Sequence, residues 1–125
     1  MIQKLLIVAA GSGAGGALRF YISQMIYKYL PAVFPFGTLA VNILGSIILG
    51  VLIFGFDSKN LVSPEMKLLL GVGFCGGFTA FSTFSFETFS LIKDSEFLLA
   101  GANVAANLIF TIAGVFLGYL LTKQV

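Results

Sequence analysis

Apolar residues fall along this chain in four long runs, separated by three short interruptions rich in proline or charge. A helix that crosses a bilayer needs about 20 mostly apolar residues. On that measure the pattern predicts helices from Leu5 to Tyr27, Gly37 to Phe56, Pro64 to Ile92 and Phe97 to Leu121. The stretch from Pro31 to Pro35 closes the first helix, and the polar run Asp57-Ser-Lys-Asn60 closes the second. Lys93-Asp-Ser-Glu96 forms the turn into the fourth. Ser63 is placed to cap the third helix, Pro64 suits its first turn, and Glu65 favours the positive end of its dipole. Connections this short predict antiparallel neighbours, and nothing marks a separate domain or a low-complexity tail. Residues 1–125 therefore read as a single four-helix transmembrane domain of the all-α class.

Within the helices, small residues recur four apart: Gly11/Gly15 and Ser12/Gly16, then Ser46/Gly50, Gly73/Gly77 and Gly114/Gly118. In lipid, leucine packed on leucine gains little over leucine packed on lipid, so close backbone approach at such pairs is what draws helices together. The pairs predict a tight bundle. Four short helices enclose little space alone, so a homo-oligomer is expected.

Composition sharpens this. The chain is 58% hydrophobic and 10% charged, against about 25% charged in an ordinary soluble domain. A chain of this size keeps much of its surface exposed, so lipid is the economical solvent. A net charge of +2 without a basic cluster points away from nucleic acid. The lone Cys75 excludes an internal disulfide, and the absence of His removes the commonest metal ligand and general base. The apolar N-terminus runs through Arg19 with no convincing cleavage site, so it is expected to be a retained helix. Lys4, Lys59, Lys67 and Lys123 fall on the side of the N-terminus, against Lys28 and Lys93 on the other, with Arg19 near the second side. That bias barely fixes an orientation, and insertion in both directions is expected.

A few polar residues lie where lipid should reject them. Arg19 sits near the far end of the first helix, either snorkelling to the interface or lending a positive potential that draws anions. Asn42 lies about six residues into the second helix, where its amide serves as interhelical glue or as a donor lining a path. Asn107 and Thr111, one turn apart on the fourth helix, carry the same ambiguity.

The richest stretch is Gly71 to Phe89, with six of the fourteen Phe residues, four Gly residues, a run of hydroxyls and the carboxylate of Glu87. Gly76 and Gly77 each weaken a helix by about 1 kcal/mol relative to Ala. Unwound backbone at membrane depth survives only where protein or water receives it. A break is therefore predicted over Gly76 to Thr79, freeing carbonyl oxygens of the kind a hard cation accepts. Phe81 and Phe84, at i and i+3, share a face, and their electropositive ring edges can meet an anion without a fixed charge. Ser82 and Thr83 add donors.

The run Gly73-Phe-Cys-Gly-Gly-Phe-Thr-Ala-Phe-Ser-Thr-Phe84 resembles the signature GxxGGxTTFSTF of the CrcB/Fluc fluoride channels, departing at Ala80. Supporting motifs are Gly-x-x-Gly-Gly-Ala-Leu-Arg19-Phe in the first helix and Pro35-Phe-Gly-Thr-Leu-Ala-Val-Asn42-Ile-Leu-Gly45 in the second. The resemblance implies an antiparallel, dual-topology homodimer in the cell membrane (the bacterial inner membrane) whose two pores passively export fluoride from the cytoplasm. It implies that Phe81 and Phe84 are paired rings along the pore, with Ser82 and Thr83 beside them. Asn42 becomes the pore-lining amide, Thr111 a fourth-helix hydroxyl, Glu87 a carboxylate near one end of the path, and Arg19 the cation of the first helix. Gly76 and Thr79 are implied to give backbone carbonyls to a structural Na⁺ on the dimer axis. Val115 stands where some relatives carry a further hydroxyl. Two other functions remain open on the residues alone. A proton-coupled drug exporter needs a membrane carboxylate, for which Glu87 is the intramembrane candidate. A non-transporting accessory subunit would use the polar residues only as glue. No acid–base constellation suggests an enzyme.

Overall fold

The computed structural model describes residues 1–123. Five helices make four membrane spans. α1 is Ile2–Tyr29, α2 is Phe36–Asp57, and the third span, Pro64–Lys93, divides into α3 (64–78) and α4 (Phe81–Lys93). α5 is Phe97–Thr122. All four spans are long and apolar enough to cross a bilayer, and no strand occurs among the described residues. The protein is a multi-pass membrane protein.

Local chemistry sets the ends. Leu30 adopts an extended conformation (φ −119°, ψ 144°) and stops α1, because Pro31 crowds a helical residue before it. At α3 the Ser63 hydroxyl accepts from the Met66 amide at 3.1 Å, with Pro64 and Glu65 in the first turn. The turns after α2 and α4 are made by Asn60 and Ser95, both at positive φ (58° and 62°), small polar residues that tolerate it. The last turns of α2 (Val51–Asp57) and much of α3 (Leu68–Cys75) are wound wider, as π-helix.

α1 packs along α3, and α2 along α5. Both contacts are made backbone to backbone. A Cβ added at Gly15 would strike the Phe74 carbonyl, one at Gly77 the Ser12 backbone, and one at Gly118 the backbone of Ile47 and Val51. The small-residue pairs thus do the packing expected of them. Ser12 adds a hydroxyl donor to the Gly73 carbonyl at 3.3 Å. Gly16 instead faces nearly open space.

The interior is polar for a membrane chain. Thr38, Asn42, Asn103, Asn107 and Thr122 are buried beside Val41 and Phe78, while large apolar side chains such as Leu98 and Ile112 face outward. Lipid can solvate leucine but not an amide, so the amides occupy the inside.

Candidate functional site

The third span breaks at Thr79 (φ −87°, ψ 161°) and Ala80 (φ −144°, ψ 90°), both extended. Gly76–Phe78 remain helical. The break predicted over Gly76 to Thr79 is therefore placed one step later, and the glycine pair has another use. Gly77 is small because α1 touches it, whereas a Cβ at Gly76 would meet nothing. Chain direction changes at Thr79–Ala80 because neighbouring side chains take over the bonds that the helix gives up.

Two of those substitutions are visible. The Ala80 amide, which in a continuous helix would bond Gly76, donates to Asn42 Oδ1 at 2.8 Å. The Gly77 carbonyl accepts from Arg19 Nε at 3.2 Å. The Thr79 hydroxyl adds a second donor to the Cys75 carbonyl, at 3.0 Å, which keeps its helical bond from the Thr79 amide. Arg19 thus places a cation against the C-terminal end of α3, where the helix dipole is negative. The half-buried Arg19 side chain turns its Nε onto α3.

Asn42 is held on its other side as well. Its Nδ2 donates to Asn107 Oδ1 at 2.9 Å. Asn107 Nδ2 donates in turn to the Asn103 carbonyl and to Asn103 Oδ1, at 2.9 and 3.0 Å. Asn103 Nδ2 reaches the Thr88 hydroxyl at 2.9 Å, and that hydroxyl donates to the Phe84 carbonyl at 2.8 Å. Thr111 Oγ1 bonds the Asn107 carbonyl.

Two cavities flank this framework. The first, about 370 Å³, is lined by Asn42, Gly76, Thr79, Phe81, Phe84, Asn107 and Thr111, among others. The Phe81 and Phe84 ring centroids lie 5.6 Å apart at 43°, and Phe81 is 77% exposed. The second, about 560 Å³, lies toward the C-terminal end of α4, where Tyr27, Phe86, Glu87, Ser90 and Asp94 line it. Glu87 Oε1 is buried without a hydrogen-bond partner, and Thr38 faces the carboxylate from α2.

Residues 6–119 match the family described as "CrcB-like protein, Camphor Resistance (CrcB)". The chain belongs to the CrcB-like family. Similar proteins named "Fluoride-specific ion channel FluC" occur in Pyrococcus abyssi (46% identical, 98% of both chains), Thermococcus gammatolerans (49%, 98% of both) and Geotalea uraniireducens (40%, 98% of both).

The structure of this CrcB-like chain brings Asn42, Phe81, Phe84 and Thr111 to one cavity, with Gly76 and Thr79 on its wall. Glu87 lies on the other. Ser82 is exposed, Thr83 is half-buried, and neither lines these two cavities. Asn42 joins helices and also lines the first cavity. Its carbonyl and one N–H hold α4 and α5, and the second N–H that every primary amide carries is left over in a residue that lines the cavity. Asn103, Thr88 and Thr38 escaped the sequence reading. The first two had a signal: Asn103, Asn107 and Thr111 repeat every four residues on one face of α5, and Thr88 continues the hydroxyl run of α4.

Gly76 and Thr79 also bear on a cation. The Gly76 carbonyl has lost the Ala80 amide to Asn42, and Thr79 is extended, so its carbonyl leaves the helical ladder. Neutral carbonyl oxygens beside open space suit a hard ion such as Na⁺. These two carbonyls are fewer than the six or so ligands that hard cations take, so further oxygen ligands would be needed to complete a site.

Proposed function

We propose that this protein is a fluoride-specific channel that lets the ion leave the cell passively. What carries the reading is the meeting of the Phe81–Phe84 pair with Asn42 and Thr111 around one cavity, in a chain whose near-full-length relatives bear the name of such channels. Fluoride is small, hard and tightly hydrated, so only closely spaced donors can replace its water. The spare Asn42 N–H offers one such donor. The Thr111 proton is committed to the Asn107 carbonyl, so this hydroxyl lends only a polar wall unless it turns. The rings of Phe81 and Phe84 present electropositive edges that relieve the charge without trapping it. Conduction needs sites that are favourable enough to enter and weak enough to leave, and a path without Lys or Arg meets that need. Arg19 spends its charge on the Gly77 carbonyl.

The working unit in this reading is an antiparallel homodimer with two paths. Its support is the weak charge bias across the spans, the open face at Gly76 and the exposure of Phe81 on the chain's surface. Between the two copies, the carbonyls of Gly76 and Thr79 from each chain would together hold a structural Na⁺. Glu87, in the second cavity, lies near one end of the path in this reading. Its buried, unpartnered Oε1 also suits a proton-coupled exporter of cationic drugs.

Expression in a fluoride-sensitive cell separates the two. The channel reading predicts growth at fluoride concentrations that stop the parent strain, with no change in tolerance of cationic drugs. Unchanged fluoride sensitivity, with the protein confirmed in the membrane, contradicts it.

A further inference from the structure

The bonds around Asn42 form a closed loop that starts and ends on the same short segment. It leaves the Ala80 amide, passes through the side chains of Asn42, Asn107, Asn103 and Thr88, and returns to the Phe84 carbonyl. Between its two ends lie Phe81 and Phe84 themselves.

The loop has one direction. A backbone N–H can only donate, so Ala80 obliges Asn42 to present Oδ1 to it and Nδ2 to Asn107. A backbone carbonyl can only accept, so Phe84 obliges the Thr88 hydroxyl to donate, leaving its lone pairs for Asn103 Nδ2. Each primary amide has one acceptor end and one donor end. Fixing both ends of the series therefore fixes every amide within it. Asn103 is completely buried and Asn107 is 6% exposed, so water cannot readily replace a lost partner.

We infer that Thr88 and Asn103 are positioning residues for the anion path: they brace Asn107, whose Oδ1 holds Asn42 Nδ2, and tie the Ala80–Phe84 segment that carries the two rings to α5. This rests on the fluoride reading given above. Neither residue lines the first cavity, so each acts through Asn107 and Asn42. With the Thr88 hydroxyl gone, Asn103 has no acceptor for its Nδ2. It is then free to turn, Asn107 Nδ2 keeps only the Asn103 backbone carbonyl as its acceptor, and the hold of Asn107 on Asn42 loosens.

The test is a comparison of variants reconstituted in liposomes, alongside backbone amide exchange of residues 79–84. Thr88→Val, which keeps the shape and removes the hydroxyl, should slow fluoride efflux by about tenfold, and Thr88→Ser should restore most of it. In an Asn42→Ala background, Thr88→Val should cost nothing further, because the amide it positions is already absent; additive losses overturn the inference. Exchange at the Ala80 amide should speed up in Thr88→Val, and unchanged protection overturns the inference whether or not the protein conducts. Wild-type protein that passes no fluoride but shows the exchange effect would fail the channel reading alone. Should Thr88→Val not fold, Thr88→Cys, with its weaker donor and acceptor, carries the same comparison.

Discussion

At the scale of single residues, this protein places its polar side chains against backbone left open by the break. Arg19 illustrates the consequence. A hydrogen bond from a charged donor contributes about 1.5–3 kcal/mol, so Arg19→Met should lower stability in detergent by about that amount, read from a chemical denaturation midpoint. A change close to zero would return Arg19 to the role of an interfacial anchor. Phe81 has the opposite character: it is 77% exposed and contributes little to the fold of the chain. Phe81→Ile should leave expression and melting close to wild type while reducing fluoride efflux by at least about tenfold. Normal efflux in that variant would remove the rings from the path. Asn42 was legible from its depth in an apolar run, but not its partners. A single amide in a sequence does not reveal that its oxygen accepts from the Ala80 amide 38 residues away.

At the scale of helices, the four spans were readable because lipid demands long apolar runs. Predicted and observed ends agree within about three residues, as caps and fraying allow. The interruption in the third span was readable only in part. Gly76-Gly77 signalled it, yet the chain turns at Thr79–Ala80, because glycine served close packing at one of its two positions. That division gives a paired prediction. Gly77→Ala drives a methyl group into the Ser12 backbone and should cost about 1–3 kcal/mol, the usual penalty of overpacking. Gly76→Ala meets open space within the chain and should leave the fold of a single copy intact. If the proposed homodimer forms, its loss in Gly76→Ala, by cross-linking in membranes, would locate the partner at that face. Equal thermal stability of Gly77→Ala and wild type would refute the backbone contact. The wide turns over Leu68–Cys75 had no sequence signal we can name.

For the molecule as a whole, the arrangement inverts a soluble core: amides and hydroxyls inside, leucine and phenylalanine outside. A buried amide series of this kind is tolerated because every member is bonded, and it rigidifies what it joins. Here it joins α2, α4 and α5 around the break, while Arg19 and the glycines join α1 to α3. Membership of the CrcB-like family and the four spans were both legible from motifs distributed along the chain. The measurement that tests the fluoride reading most directly is efflux from liposomes that hold the purified protein, followed with a fluoride electrode. Fluoride should leave far faster than from protein-free liposomes, with chloride retained; efflux no faster than from empty liposomes would contradict it.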